Sequence, residues 1–289
     1  MKPTTLTAIF LCCSITVCCQ SALDTSESSN DASATLEPPP AAPALEPQGS
    51  ASSDTPWPTV SGDSTPEALA QQLLADVVAS LPRDPLTLRG QITVRRPRGI
   101  VVQELAFEAL VGWGWDPPAV RYVVSDTFGT ERERLTVRGI DLDAPRLEYA
   151  AGDPPVSARA PSLFQRVQGT DITWADLSFW FLWWEPEAVV GSDHVRGRTC
   201  HIVDVRAPAG RDDGSRPYAR VRLWIDKKFC LLMQAEGYDS GGRVIRRLWV
   251  KSLKKIDERW MVKDIEVESV PAVHRTRVRI REVASGTSS

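Results

Sequence analysis

The sequence has few of the residues and motifs that enzymes use for covalent or metal chemistry. Its three histidines, His194, His201 and His274, form no H-x-x-x-H pair and join no cysteine cluster. Metal sites need such spacing, so we predict no metal and no other cofactor. A G-x-S-x-G elbow, a phosphate loop and a dinucleotide fingerprint are also missing. Asp171 and Asp176 could form a catalytic pair, but a loop residue and a helix cap explain them more simply. We expect a protein without enzymatic activity, and a lipid hydrolase is the least favoured alternative.

Cysteine is scarce outside the N-terminus. Four of the six cysteines lie within residues 12–19, which leaves Cys200 and Cys230. Two cysteines do not make a disulfide framework. In a meander, the strand at 218–226 would lie between the strands that carry them and hold them about 9.6 Å apart, which is beyond disulfide reach. The sequence predicts two free thiols.

Strong charge of either sign is also missing. The 289 residues include 34 Lys and Arg and 37 Asp and Glu, for a net charge of −3. Residues 1–64 contain one basic and seven acidic groups, so the remainder carries +3. Such a mildly basic remainder lacks the electrostatic footprint of a nucleic-acid-binding domain. We therefore predict no nucleic-acid partner.

The N-terminal part has the composition of an export signal and a tether. Residues 1–22 start with Lys2, continue with an apolar stretch and end in small residues, which predicts a secretory signal peptide. The apolar stretch is shorter than the roughly 20 residues of a membrane span. Cleavage near Ala22 is favoured, and lipid attachment at Cys18 or Cys19 is the alternative. Residues 23–63 are rich in Pro, Ser, Ala and acidic residues, which predicts a disordered linker.

Residues 64–285 are expected to form one mainly β domain. A helix is predicted from a cap at Ser64 to Pro82, because apolar residues recur there at helical spacing. After it the apolar residues alternate with polar ones, which is typical of strands with one buried face. The predicted strands are 86–94, 100–113, 119–125, 131–137, 146–149, 199–206, 218–226, 230–238, 244–256, 259–269 and 274–283. We expect a curved, unclosed antiparallel β-barrel of about 10–11 strands with an α-helical lid or plug (an α+β arrangement that is mainly β).

An aromatic run between the predicted strands is the most distinctive feature. Residues 169–184 read GTDITWADLSFWFLWW, and Thr173 with Asp176 predicts a capped helix over 174–184 that ends before Pro186. A helix that is apolar nearly all round is buried on both sides or contacts lipid. In contrast, the alternating arginines at 275–281, together with Arg246, Arg247 and the lysines at 251, 254 and 255, are expected on solvated strand faces.

Several segments together resemble the outer-membrane lipoprotein-sorting proteins of the LolA/LolB-like superfamily. The matching segments are GTDITWADLS (169–178), VRGRTCHIV (195–203), YARVRLWIDK (218–227), IDERW (256–260) and HRT (274–276). The resemblance covers roughly residues 65–283 and is strongest from 169 onward. It implies an unclosed barrel with a helical lid over a hydrophobic cavity that accepts acyl chains. No residue is assigned to the cavity arginine of the family's carriers.

The resemblance implies a periplasmic carrier or chaperone that binds lipoproteins or lipid acyl chains during outer-membrane lipoprotein sorting. Its partners would be an inner-membrane export complex and an outer-membrane acceptor, with transient membrane contact. The alternative is an interaction or sensor module of the same fold, tethered to the envelope membrane without a transport role. The residues predicted to line the cavity are Val101, Leu105, Phe107, Val111, Trp113, Leu177, Trp180, Phe181, Trp184, Leu223, Ile225 and Val250.

Overall fold

The computed structural model describes residues 65–208, 218–256 and 259–285. All of these residues belong to one compact unit, Val60–Ser289. The predicted signal peptide at 1–22, the linker at 23–63 and the predicted helix cap at Ser64 lie outside the described residues.

Thirteen strands form a single antiparallel sheet in the described part of the chain. They are β1 (Leu86–Arg95), β2 (Val101–Gly112), β3 (Ala119–Ser125), β4 (Glu131–Arg138), β5 (Arg146–Gly152), β6 (Pro155–Ala158), β7 (Glu185–Val195), β8 (Arg198–Arg206), β9 (Arg220–Asp226), β10 (Leu232–Tyr238), β11 (Val244–Ile256), β12 (Arg259–Ser269) and β13 (Arg275–Ser285). Their spatial order is β6-β5-β4-β3-β2-β1-β13-β12-β11-β10-β9-β8-β7. Strands that are consecutive in the chain pair with each other, except β6 and β7. Pairing of β1 with β13 joins the two halves. The predicted unclosed antiparallel fold is confirmed, with edges at β6 and β7.

Two strands were not predicted, and both are edge strands. β6 has only four residues, too few for a clear alternation. β7 contains Pro186, which was predicted to end a helix and instead lies second in the strand. A proline is tolerated there because an edge strand leaves one row of N–H groups without partners. The pairing of β7 with β8 also contains two register shifts, which interrupt the alternation that a sequence pattern would show.

The two faces of the sheet differ as the alternation predicted. On β9, Val221, Leu223 and Ile225 are buried on the concave face. The outward-facing arginines are ion-paired as well as partly solvated. Arg277 and Arg279 both contact Asp264 of β12, with the shorter contact at 2.7 Å. The arginine ladder is therefore the outer face of a strand. Carboxylates of β12 match the charges of Arg275, Arg277 and Arg279, and Arg281 donates to the Gln91 amide oxygen.

Helix α1 (Pro66–Ala79) covers one end of the concave face. Its N-cap is Thr65, one residue after the predicted Ser64, and the Thr65 hydroxyl accepts a hydrogen bond from the backbone N–H of Ala68. Ala70, Leu74 and Val77 form its buried stripe, which confirms the helical spacing read from the sequence. The helix packs mainly against the edge strand β7.

Residues 162–184, here called the capping segment, cover the rest of the concave face. The predicted single helix over 174–184 is wrong. The segment has one turn of α-helix, α2 (Trp174–Leu177), followed by a 3-10 turn at Trp180–Trp183. Phe179 separates the two turns with a φ of 49°, and the Ser178 hydroxyl donates back to the Trp174 carbonyl at 2.7 Å. A left-handed residue stops a helix, and the break lets both turns follow the curved sheet.

Candidate functional site

An apolar cavity of ≈ 140 Å³ lies between the sheet, the capping segment and the end of α1. The sheet forms its floor, because the inward-facing residues of β1–β3 and of β12–β13 point into it. The floor residues are Leu88, Phe107, Ala109, Val111, Tyr122, Met261, Ile265, Val278 and Ile280. All of them except the Tyr122 hydroxyl are apolar, and burial raises the pKa of Tyr122, which keeps that group neutral.

The roof and mouth of the cavity come from other elements. Leu177, Phe179 and Leu182 of the capping segment form the roof. Val77, Leu81 and Pro82 close one side where α1 ends, and the turn between β9 and β10 contributes Cys230, Leu231 and Leu232. Ser80, Trp113, Trp260, Val262 and Lys263 complete the lining. The roof therefore belongs to a separate segment that is laid over the sheet.

A glycine on β1 makes room for the floor. A Cβ atom on Gly90 would lie 2.1 Å from the Arg279 carbonyl oxygen and 2.7 Å from the Phe107 ring. The register of β1 against β13 also shifts between Arg89 and Gly90. Both contacts are too short for any side chain, so the bulge at Gly90 allows the Phe107 ring to lie against the sheet.

A hydrophobic anchor holds the capping segment to the sheet, and a capping box fixes the start of α2. Trp174 is fully buried, and its ring centroid lies 5.8 Å from that of Tyr122 on β3. Asp176 accepts hydrogen bonds from the backbone N–H and the hydroxyl of Thr173, at 2.7 and 2.6 Å. The Thr173 hydroxyl in turn accepts from the Asp176 N–H at 3.2 Å. The predicted cap by Thr173 and Asp176 is confirmed, and it positions Leu177 in the roof.

A buried arginine joins this cap to the sheet. Arg246 of β11 donates from Nε to Asp176 at 3.1 Å, and its Nη2 contacts both Asp176 and the backbone carbonyl of Asp171. Its side chain is only 8% exposed. Burial alone lowers the pKa of Arg246, but the charge and hydrogen bond of Asp176, together with Tyr218 and Asp171, outweigh it, so the pKa lies above its ordinary value. The prediction of a solvated Arg246 is wrong, because alternation turns it to the concave face and turns Arg247 outward.

Asp171 forms a second polar contact between the capping segment and the sheet. Its carboxylate contacts the His274 ring and accepts from the Thr276 hydroxyl at 3.2 Å. Its backbone N–H donates to the same hydroxyl at 2.8 Å. The Ser269 hydroxyl also donates to this carboxylate, at 3.3 Å. These contacts agree with the prediction of a loop aspartate, and they anchor the loop before α2 to the ends of β12 and β13.

A third contact holds the start of the capping segment. Glu133 of β4 is 2% exposed and accepts hydrogen bonds from the Tyr149 hydroxyl at 2.7 Å and the Gln168 backbone N–H at 3.1 Å. Burial raises the pKa of the Glu133 carboxyl, although both hydrogen bonds act in the opposite direction. This contact links Gln168, whose φ is 46°, to strand β4.

The two described cysteines have different environments. Both are free thiols, as predicted, since β9 separates the strand of Cys200 from β10. Cys200 is buried on the outer face, and burial raises the pKa of its thiol to about 11. Cys230 is half-buried at the cavity, and burial raises its pKa above the ordinary value. Cys230 therefore gives a chemical handle on the cavity.

Four of the twelve predicted site residues line the cavity: Phe107, Val111, Trp113 and Leu177. Seven others are buried in the surrounding core without lining it: Leu105, Trp180, Phe181, Trp184, Leu223, Ile225 and Val250. The Trp180 and Trp184 rings pack on each other at 5.5 Å, and both contact Phe164. Val101 lies at the start of β2, 46% exposed and away from the cavity.

Several lining residues were not selected from the sequence. Met261 and Ile265 lie on a strand whose alternation was recognised, so the strand pattern could have indicated them. Leu81 and Pro82 follow a recognised helix, but their direction depends on how the chain turns into β1. Lys263 gave no signal, because a lysine in an alternating strand is ordinarily placed on the solvated face.

The described residues contain no group of three or more His, Cys, Asp and Glu side chains that could hold a metal ion. In the same part of the chain, no helix has the length and apolar character needed to cross a membrane.

The sequence and the fold were compared with those of known proteins. A family model described as an uncharacterized protein family matches residues 157–288. No curated protein matches the sequence. Among solved structures, a DUF1329 family protein from Desulfovibrio piger has a TM-score of 0.66 at 18% identity, over 78% of this chain and 96% of its own. A putative outer membrane lipoprotein-sorting protein domain from Vibrio parahaemolyticus has a TM-score of 0.63 at 10% identity, over 76% and 94%.

A LolA superfamily protein from Nitrosomonas europaea has a TM-score of 0.57 at 13% identity, over 76% of this chain and 94% of its own. The chain has the LolA fold. The structure thus confirms the resemblance read from the sequence at the level of the fold. Within this LolA fold, the capping segment occupies the concave side of the sheet, and the cavity lies beneath it.

Proposed function

We propose that this protein binds acyl chains of lipoproteins or lipids in the cavity under the capping segment, as a periplasmic carrier or chaperone in outer-membrane lipoprotein sorting. The observation that carries the proposal is the apolar cavity roofed by a separate segment. Further support comes from the fold, which is shared with the putative outer membrane lipoprotein-sorting protein domain from Vibrio parahaemolyticus. In this function the protein binds and releases its ligand without chemical change.

Burial of methylene groups supplies the binding energy. Each buried methylene is worth about 0.8 kcal/mol, so a 16-carbon chain gains on the order of 10 kcal/mol before ordering costs are subtracted. The cavity of ≈ 140 Å³ is smaller than the roughly 300–1,000 Å³ of pockets for drug-sized ligands. It suits a slender alkyl chain better than a ring system, and a long chain requires the capping segment to move outward.

Movement of the capping segment would open the cavity. Its roof residues follow directly on Asp176, whose contacts with Arg246 fix the segment to β11. The polar contacts of Asp176 therefore hold the roof together with buried apolar side chains of the segment, which include Trp174, Trp180 and Trp184. Ligand binding would favour an open arrangement to the extent that the chain gains more contacts there than in the closed one.

Native mass spectrometry of protein purified without detergent tests the proposal. A mass increment that matches an acylated species or a lipid would support a carrier and identify its cargo. Protein that is empty, and that fails to take up an added fluorescent fatty acid, would contradict the proposal.

A tethered interaction or sensor module is the second candidate. The packing of Trp180, Phe181 and Trp184 as core favours it, because this aromatic surface then serves stability and not ligand contact. In this case the signal peptide at 1–22 would end in lipid attachment at Cys18 or Cys19, and residues 23–63 would be the tether. Intact-mass analysis of the membrane fraction distinguishes the candidates, since the lipid-anchored form carries the added acyl mass.

Localisation and partners belong to the same proposal. An exported protein with a binding domain over residues 64–285 would meet its lipoprotein ligand in the periplasm. An inner-membrane export complex would deliver the ligand, and an outer-membrane acceptor would receive it during transient membrane contact. Pull-down from solubilised envelopes with the ligand-loaded protein measures both contacts.

A further inference from the structure

The cavity contains a single charged side chain among its described lining residues, and that side chain is a cation. Lys263 lies on β12 between Met261 and Ile265, and both of these neighbours also line the cavity. Lys263 lies at a register shift, where Val262 is opposite Leu253 and Asp264 is opposite Ser252 of β11, and it lines the cavity itself. It is exposed, which locates its ammonium group at the mouth and not in the interior.

Lys263 has no ion-pair partner in the described part of the chain. The adjacent carboxylate, Asp264, points to the outer face, where Arg277 and Arg279 contact it. Asp76 of α1 accepts a hydrogen bond from Gln72 at 2.7 Å and does not line the cavity. On β13, Arg275, Arg277 and Arg279 are matched by carboxylates of β12, whereas Lys263 lines the cavity with no such match among the described residues.

Protection of a sheet edge does not explain the inward-facing lysine. Inward charges are commonly found on edge strands, where they prevent pairing with other chains. β12, however, lies inside the sheet between β11 and β13. At this position the methylene groups of the Lys263 side chain lie along the apolar wall, and its ammonium group lies at the opening of the cavity.

We infer that the cavity binds an amphiphile with an anionic head, a carboxylate or a phosphate, whose head contacts Lys263 while its tail lies along the apolar walls. A hydrogen bond from an ammonium group to an anionic oxygen is stronger than one between neutral groups. The inference rests on the proposed function and narrows its ligand class, because a neutral acyl group would leave the Lys263 charge without a counterpart.

Four probes with the same 12-carbon chain test the inference by titration calorimetry at pH 8. They are dodecanoate, dodecyl phosphate, dodecan-1-ol and dodecyltrimethylammonium. We expect the anions to bind about tenfold more tightly than the alcohol, which corresponds to about 1.4 kcal/mol, and the cation to bind most weakly. A preference for the carboxylate would indicate a fatty acid, and a preference for the phosphate would indicate a phospholipid headgroup.

Variants of the lysine supply the decisive comparison. Lys263→Gln should reduce the affinity for dodecanoate about tenfold, to that of the alcohol, and Lys263→Arg should restore most of it. Lys227→Gln removes an equally exposed charge outside the cavity and should change nothing. Equal affinity of the wild-type protein for dodecanoate and dodecan-1-ol would overturn this inference and leave the proposed function unaffected. An equal loss of affinity for all four probes in Lys263→Gln would do the same. Failure of all four probes to bind would instead contradict the proposed function.

Discussion

Replacement of Arg246 by Met should detach the capping segment from the sheet and destabilise the protein. The change keeps most of the side-chain volume but removes the cation that contacts Asp176 and the Asp171 carbonyl. Asp176 then remains 4% exposed as a carboxylate without a counter-charge, with only the Thr173 contacts left. Loss of one partner from a buried ion pair costs about 3–5 kcal/mol, a large share of the roughly 5–15 kcal/mol of a typical domain.

The measurement is the free energy of unfolding from urea titration, followed by tryptophan fluorescence. Arg247→Met is the matched control, because Arg247 is the next residue, faces outward and is 38% exposed. Its pairs with Glu236 and Glu268 are partly solvated, so that variant should lose no more than about 1 kcal/mol. The double variant Arg246→Met/Asp176→Asn should lose less than the sum of its single changes, since neither charge is then left alone.

Access to the cavity gives an independent readout of the same variant. Leu177 follows directly on Asp176 in the roof, and Cys230 lines the cavity beneath. A loosened roof should increase the rate at which a maleimide modifies Cys230, as quantified by mass spectrometry of its peptide. A loss of stability below 1 kcal/mol with an unchanged modification rate would refute the assignment of Arg246 as the residue that fixes the capping segment.

Three further predictions follow from the surroundings of the cavity. Gly90→Ala should destabilise the protein by about 1–3 kcal/mol in urea titration, because the new Cβ would overlap a backbone carbonyl oxygen; unchanged stability would contradict the bulge geometry. The pKa of Glu133 is raised in the folded state, so stability should fall as pH rises from its ordinary 4.5 to the folded value. Glu133→Gln should abolish this dependence of stability on pH. Identical pH profiles of stability for the variant and the wild type would show that Glu133 is not the cause. Bound dodecanoate should slow maleimide modification of Cys230 and leave buried Cys200 unmodified with or without ligand; equal rates for Cys230 would contradict its place at the site.

Alternation of apolar residues was sufficient to predict most of the sheet. The strands from β8 to β13 each present clear inward and outward rows, and the order of a meander follows from their short connections. β7 escaped prediction because Pro186 and two register shifts hide its alternation, and these are tolerated only because β7 is an edge strand. Sequence periodicity carries no information about which strand becomes an edge.

The site was predicted less completely than the fold. Hydrophobicity correctly indicated that the aromatic run 179–184 is buried, but it does not distinguish a cavity wall from packed core. That distinction depends on the left-handed conformation of Phe179, which breaks the helix and turns Trp180 and Trp184 towards Phe164. The role of Arg246 depends in the same way on a partner 70 residues away in the chain.

The most direct test of an acyl-chain site is a titration with a fluorescent fatty acid. It compares the wild type with two variants whose substitutions lie on opposite faces of β2. Ala109 is 2% exposed and lines the cavity, whereas Ala106 lies three residues away on the opposite face. Ala109→Leu adds three carbons inside the cavity, and Ala106→Leu adds the same atoms outside it. We expect saturable binding to the wild type and to Ala106→Leu, and loss of that binding in folded Ala109→Leu. Absence of saturable binding to the wild type, or equal affinity of all three proteins, would contradict this expectation.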